Sequence, residues 1–314
     1  MKIHILDAAT LGDDLDLSPL GECGEVQIWP STPPELVTER MSGADVVVVN
    51  KIKIHQGNLP VGDACPKLIC LCATGYDNVN LTDCRTRGIG VANVVGYSSD
   101  SVAQVTVGLV LSLLCHLPAY LQNTASGDYT SGGCANCLTP TYHEIAGMTW
   151  GVVGAGRIGQ RVAEVAKALG CRVLTCRRTP DENSVDLDTL LKSSDIVTLH
   201  TPLTPETRGM IDQHALSQMK RGSILVNMAR GAVTNESALA DAILTGHLGG
   251  LGADVFSVEP FGEDHPFNRI KHLPNVALTP HMSWGAFEAR VRCLSEVVKN
   301  IQAFEKGERR CRVD

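Results

Sequence analysis

The run TWGVVGAGRIG (residues 149–159) carries more of the architecture than any other part of the chain. Its apolar opening, 149–153, reads as a buried strand, and the glycines then break it just ahead of an Ala- and Val-rich helix over 158–169. In a strand–GxGxxG–helix unit, Gly154 permits the tight turn, Gly156 lets a pyrophosphate reach the backbone, and Gly159 lets helix and strand pack closely. The helix amino terminus adds unpaired N–H groups and a partial positive charge. The hexapeptide alone is weak evidence. With the strand before it, the helix after it and a second strand at 171–176, it predicts dinucleotide binding, the alternative being a glycine-rich turn in a nucleotide-free α/β protein.

Outward from this unit the same alternation continues. Helices are predicted at 186–192, 212–218 and 235–245, strands at 195–199, 223–227, 250–254 and 276–278, and an amphipathic helix at 285–305. Upstream, Ile3–Leu6, Val26–Trp29, Val46–Val49, Leu68–Cys72 and Ile89–Ala92 read as strands, with helices such as Pro34–Met41 and Leu81–Arg87 between them. Continuous apolar strands alternating with helices imply an α/β chain with parallel sheets covered on both faces. Asp100 or Ser101 can cap a buried helix over Val102–Leu114. The polar, Gly-rich segment 122–147 reads as a loop or as an arm packing on another subunit. Breaks fall near residues 97 and 284.

Composition narrows the function classes. A net charge of −7 argues against a nucleic-acid-binding surface. The opening MKIHILDAATLGDD turns acidic after one short apolar run, so it is not a secretory signal. The stretch Val102 to Leu117 is too short and too often interrupted to span a membrane. The 12 cysteines, scattered through apolar runs, fit a reduced cytoplasmic protein. Cys134-Ala-Asn-Cys137 has no second ligand pair at metal spacing, so no metal is expected.

Beyond the glycine loop, three strand ends carry chemistry. SILVNMARGA places Arg230, LGADVFSVEP places Asp254 and Glu259, and VALTPHMSW places His281. Ligands of open parallel sheets sit beyond the carboxyl ends of strands, where these loops can converge beside a dinucleotide. Hydride transfer to a 2-keto acid needs a cation for the carboxylate, and Arg supplies a planar fork. It also needs an acid for the carbonyl oxygen, and a histidine beside a carboxylate suits that task. Singly, each residue also reads as a surface charge, a loop cap or a satisfied loop histidine; the cofactor loop tips the set toward function. Lys51, past the third strand, either adds charge near a substrate or is a solvated lysine.

Together with ATGYDNVNL (73–81), HTPLTPETRGMI (200–211), VNMARGAVTNE (226–236), GADVFSVEP (252–260) and TPHMSW (279–284), the chain resembles the D-isomer-specific 2-hydroxyacid dehydrogenases over nearly its full length. The stretches NVVGYSSDSVAQ (93–104) and HMSW–EARVR look most like the glycerate dehydrogenase/hydroxypyruvate reductase branch. The resemblance implies two doubly wound parallel-sheet domains. One is a split flavodoxin-like substrate domain, 1–97 plus 285–314, and the other an inserted Rossmann dinucleotide-binding domain, 98–284. It implies catalytic Arg230, Glu259 and His281, and substrate contacts at Thr74 and Gly75, with Lys51 and Arg230 added. Cofactor contacts fall on Gly154, Gly156, Arg157, Ile158, Gly159, His200, Thr201, Pro202, Ala229, Asp254 and His281. A homodimer joined through the cofactor domains is implied as well. A dehydrogenase for a bulkier branched-chain or aromatic 2-keto acid, or a dinucleotide-sensing corepressor-like binding protein, are the alternatives.

One feature departs from an NAD-selective pattern. CRVLTCRR (171–178) ends in Arg177 and Arg178 where such relatives carry an acidic residue about 20 positions beyond the glycine loop. A carboxylate there accepts from the ribose 2′-hydroxyl and repels a 2′-phosphate, whereas arginines attract that phosphate. NADP(H) is therefore favoured over NAD(H), the alternative being two solvated arginines with NAD still used.

Overall fold

The computed structural model describes residues 1–181 and 184–314. Two compact units emerge, one formed by Met1–Ser98 with Gly285–Asp314 and the other by Ser99–Trp284. Both are built on parallel sheets with helices between successive strands.

In the first unit, β1 (Lys2–Ile5), β2 (Glu25–Ile28), β3 (Val46–Val49), β4 (Leu68–Leu71) and β5 (Gly90–Ala92) lie in the order β2-β1-β3-β4-β5, every pair parallel. The strands VVVV and LICL are buried at every position, as central strands covered on both faces must be, while the edge strand EVQI is largely exposed. Helices α1 (Val37–Met41) and α2 (Leu81–Thr86) are short. The predicted Pro34–Met41 helix divides, because Pro34–Leu36 forms a 3-10 turn ahead of α1. A long closing helix, Phe287–Glu305, buries Cys293, Val297 and Ile301. After it the tail runs antiparallel to β5: Val313 N–H donates to Val91 O at 2.9 Å, and Asn93 N–H donates to Cys311 O at 3.1 Å.

The second unit holds β6 (Thr149–Val153), β7 (Arg172–Cys176), β8 (Ile196–Leu199), β9 (Ile224–Asn227), β10 (Gly250–Ala253) and β11 (Val276–Leu278) in the order β11-β10-β9-β8-β6-β7. Its helices are α3 (Ser99–Leu114), α4 (Leu117–Ala125), α5 (Asp128–Ser131), α6 (Arg157–Ala168), α7 (Leu187–Ser193), α8 (Gln213–Gln218) and α9 (Glu236–Leu244). Asp186, Asp212 and Asn235 cap α7, α8 and α9 by accepting backbone N–H bonds. One face of the sheet packs Leu190, Leu225 and Phe267, the other Val110, Leu113, Trp150 and Val162. Trp150 is fully buried, and its indole N–H finds Thr198 Oγ1 at 3.1 Å. Strand order reverses between β6 and β8, which makes their carboxyl ends a switch point of the kind where doubly wound sheets take ligands.

Two sequence expectations need correction here. Helix α3 begins at Ser99, so Asp100 and Ser101 lie inside its first turn rather than ahead of it. The segment 122–147 is not all loop: α4 runs on to Ala125 and α5 adds a further turn, with Leu121, Leu138 and Tyr142 exposed. Among the described residues no single helix is long and apolar enough to cross a membrane.

Candidate active site

At the switch point, Gly154 has φ +92 and its missing Cβ would stand 2.6 Å from Thr201 N and 2.7 Å from His200 C. Gly159 approaches Gly154 O so closely that a Cβ would lie 2.3 Å from it. Both glycines are therefore required by the protein's own backbone. Gly156 differs: a Cβ there would meet nothing within 4 Å. The chain itself does not demand glycine at 156, so a group from outside the chain accounts for it, and a pyrophosphate approaching the amino end of α6 fits. That helix has no acidic residue in its first turn, which keeps its positive end uncompensated.

The neighbouring loop, expected to pack beside the cofactor, carries His200. Neither ring nitrogen has a hydrogen-bond partner among the described residues, and both are shielded from solvent. Burial pushes the imidazole down to about 3 from an ordinary 6.5. The side chain thus packs, while its backbone lines Gly154. An acid sensitivity follows. Below pH 6.5 the unfolded chain takes up a proton at this ring and the folded chain does not until about pH 3, so stability is lost as pH falls through that window. At pH 5 the loss is at most about 2 kcal/mol. His200→Phe should shrink the drop in Tm between pH 7 and pH 5 by about 4 °C in scanning calorimetry. Equal acid sensitivity in both proteins would exclude His200 as the source.

Arg230, Glu259 and His281 follow β9, β10 and β11, three adjacent strands, and so rise from one end of the sheet. His281 Nδ1 lies 2.6 Å from Glu259 Oε2, with the two side chains 23% and 31% exposed. The carboxylate must accept from Nδ1–H, which leaves Nε2 as the atom that can exchange a proton with a ligand. The other Glu259 oxygen accepts from Phe256 N–H at 2.9 Å. Arg230 is half-buried, and its Nη1 donates to Ala229 O at 2.9 Å.

The loops that present these groups are tied down by residues whose importance the sequence did not reveal. Asn227 accepts from Ala229 N–H and donates from Nδ2 to Arg230 O, both at 3.0 Å, shaping the Arg230 loop. At Gly231 a Cβ would fall 1.9 Å from Phe256 C and 2.0 Å from Ser257 N. The loop bearing Arg230 therefore rests directly on the loop bearing Glu259. A glycine beside a charged strand-end residue was the available signal for such a close approach.

Asp254 acts inside the protein. It is 1% exposed, and its carboxylate accepts from Thr279 Oγ1 at 2.6 Å, Met282 N–H at 2.9 Å and Ser283 N–H at 3.0 Å. Between these anchors His281 adopts φ +51, a left-handed conformation uncommon outside glycine. Trp284 Nε1 also donates to His281 O at 3.0 Å. Expected on the cofactor side from sequence, Asp254 holds the turn that aims His281.

The remaining candidates are placed separately. Arg157 and Ile158 open α6, and Thr201-Pro202 continue the loop after β8. Arg177 directly follows β7 and pairs with Asp181, so an acid does stand beside it although none occupies 177 or 178. Thr74, Gly75 and Lys51 belong to the first unit, at the carboxyl edge of its sheet. There Thr74 Oγ1 donates to Val94 O at 2.7 Å, and Asp7, buried, accepts from Lys51 N–H at 2.6 Å and Asn50 N–H at 3.0 Å. Burial pushes the Asp7 carboxyl above the usual range, against the pull of those N–H donors. Cys134 and Cys137 are both free thiols.

Residues 107–283 match the family model for the NAD binding domain of D-isomer specific 2-hydroxyacid dehydrogenases. The chain belongs to this family. A glycerate dehydrogenase of Methylorubrum extorquens is 37% identical over 308 residues, covering 98% of this chain and 96% of that one. A hydroxypyruvate reductase of Blautia hydrogenotrophica is 36% identical, covering 98% of each. Among solved structures, a D-lactate dehydrogenase of Aquifex aeolicus complexed with NAD and lactic acid superposes with a TM-score of 0.86 at 28% identity, covering 98% of this chain and 96% of that chain. This D-2-hydroxyacid dehydrogenase is thus an oxidoreductase with an NAD(P)-binding domain, most similar to the glycerate dehydrogenase and hydroxypyruvate reductase branch.

Proposed function

We propose that this D-2-hydroxyacid dehydrogenase interconverts hydroxypyruvate with D-glycerate and glyoxylate with glycolate, using NADP(H) in preference to NAD(H). The observation that carries the reading is the 2.6 Å His281–Glu259 pair, raised on the adjacent strands β11 and β10, with Arg230 on β9 beyond them. The names of the glycerate dehydrogenase and hydroxypyruvate reductase relatives support the choice of small keto acids.

In this mechanism the Arg230 guanidinium binds the substrate carboxylate and polarises the keto oxygen. His281 delivers a proton from Nε2 to that oxygen, and the Glu259 carboxylate balances the positive charge the ring carries when protonated. Asp254 holds the 279–283 turn so that the ring is aimed before substrate arrives. Gly154, Gly156, Gly159 and the start of α6 hold the dinucleotide, whose nicotinamide supplies or accepts a hydride. Arg177 takes the 2′-phosphate by exchanging its Asp181 partner for it, and Arg178 adds charge beside it.

The test is a matrix of NADPH and NADH against hydroxypyruvate, glyoxylate, pyruvate, 2-ketoisocaproate and phenylpyruvate. Hydroxypyruvate and glyoxylate should give the highest kcat/KM, with NADPH favoured about tenfold, the scale of one charge-assisted contact. Arg177→Ala should abolish that preference. Faster turnover of the bulky keto acids overturns the substrate assignment. A higher kcat/KM for NADH, unchanged in Arg177→Ala, overturns the cofactor assignment.

A further inference from the structure

The loop that presents Glu259 is exposed at Ser257, Val258, Glu259 and Pro260 and has no regular structure of its own. Such a segment keeps a carboxylate in place only if something rigid holds it. Beneath it lies a second histidine–carboxylate pair that the reaction does not use. Glu236, in the first turn of α9, and His265 are both buried, and His265 Nε2 stands 3.0 Å from Glu236 Oε2.

The proton on His265 can be assigned. Its Nδ1 accepts from Phe267 N–H at 3.2 Å, so the ring carries its hydrogen on Nε2 and donates it to Glu236. Glu236 in turn accepts from Ser257 N–H at 2.8 Å through Oε1 and from the Ser257 hydroxyl through Oε2. The aromatic residues bounding the Glu259 segment close on the same ring. Phe261 lies 4.6 Å from the His265 centroid, Phe267 5.0 Å and Phe256 6.0 Å. The segment from Phe256 to Phe261 is therefore fastened at both ends to His265, and at Ser257 to the carboxylate that His265 orients. Phe256 N–H, one residue before that anchor, is the group that holds Glu259 Oε1.

We propose that Glu236 and His265 are positioning residues for the reaction: through Ser257 and the Phe256–Phe261 segment they set the Glu259 carboxylate on His281. Their contact with Ser257 is also where the Arg230 loop rests, since the missing Cβ of Gly231 points at the Phe256–Ser257 peptide. One buried pair thereby keeps two presenting loops in mutual register. The inference rests on the roles proposed above for Arg230, Glu259 and His281. It adds a device that touches neither substrate nor cofactor.

The test reads the dyad directly. The Nδ1–H of His281, in a 2.6 Å bond to carboxylate, should give a low-field proton resonance in the full-length protein, assigned by its loss in His281→Asn. In Glu236→Gln and in the milder Ser257→Ala this resonance should shift or vanish. His265→Phe, which fits the aromatic surroundings but cannot donate, should behave like Glu236→Gln. His265→Gln, whose amide can still donate to Glu236, should restore the signal. With hydroxypyruvate, kcat/KM should fall about 10- to 100-fold in Glu236→Gln, the scale of a misplaced catalytic group. A folded Glu236→Gln or Ser257→Ala protein with lowered Tm but an unmoved resonance overturns the proposal, since the pair would then serve stability alone. A resonance that shifts in the variants, with a wild type inactive on every keto acid, instead leaves the positioning role standing and overturns the substrate reading.

Discussion

Replacing His281 with alanine is expected to lower kcat for hydroxypyruvate about 10³-fold, within the range usual for removing a general acid. The dissociation constant for the dinucleotide, followed by nicotinamide fluorescence, should change less than about twofold, because the glycine loop follows β6 whereas the ring follows β11, at the far edge of the sheet. The selectivity of the effect is the argument. The turn that holds His281 is built from Asp254, Thr279, Met282, Ser283 and Trp284, and none of those bonds uses the imidazole. Truncation therefore removes the proton donor and leaves the turn intact. His281→Asn should be nearly as slow, since its amide can bond to Glu259 but cannot deliver a proton. Retention of hydroxypyruvate, glyoxylate and pyruvate reduction by either variant would falsify the assignment.

The second large effect is expected at Arg230. Arg230→Ala should lower kcat/KM for hydroxypyruvate about 10²- to 10³-fold, mostly through KM, because truncating one partner of a desolvated charge pair costs about 2–5 kcal/mol. Arg230→Lys should recover only part of this loss, since an ammonium cannot match a carboxylate with two parallel bonds. The loop itself should survive either change. Its shape comes from the Asn227 side chain and from Gly231 on the Phe256–Ser257 peptide, not from the guanidinium. A KM equal to wild type in Arg230→Ala would remove this residue from carboxylate binding.

The contrast between what the sequence showed and what it hid follows from range. Strands such as VVVV at 46–49 and LICL at 68–71 announce themselves because a strand buried on both faces must be apolar at every position. The glycine loop is equally legible, since its constraints are local to the turn. Asp254 is a different case. Its position at a strand end suggests a ligand contact, yet its acceptors are filled by residues 279–283, which no local pattern links to it. Asp181 escaped although it is only four residues from Arg177: the absence of an acid at 177 was visible, whereas the return of a carboxylate to Arg177 from an irregular segment was not. The 122–147 segment offered too little periodic apolar character to disclose how far α4 extends. Glu236 ends the stretch VNMARGAVTNE and His265 lies outside the matching stretches, yet neither gains a role from the sequence, because their meaning lies in contacts with a loop more than 20 residues from one of them.

The interleaving of the two units also imposes an order on synthesis. Residues 99–284 form a continuous stretch and can reach their native core while the chain is still being made. Residues 1–98 cannot do so. The helix Phe287–Glu305 covers their sheet, and the strand pairing of Val313 with Val91 completes its edge. Residues 1–98 must therefore wait, with a face of their sheet uncovered, for a segment translated only after the whole cofactor domain.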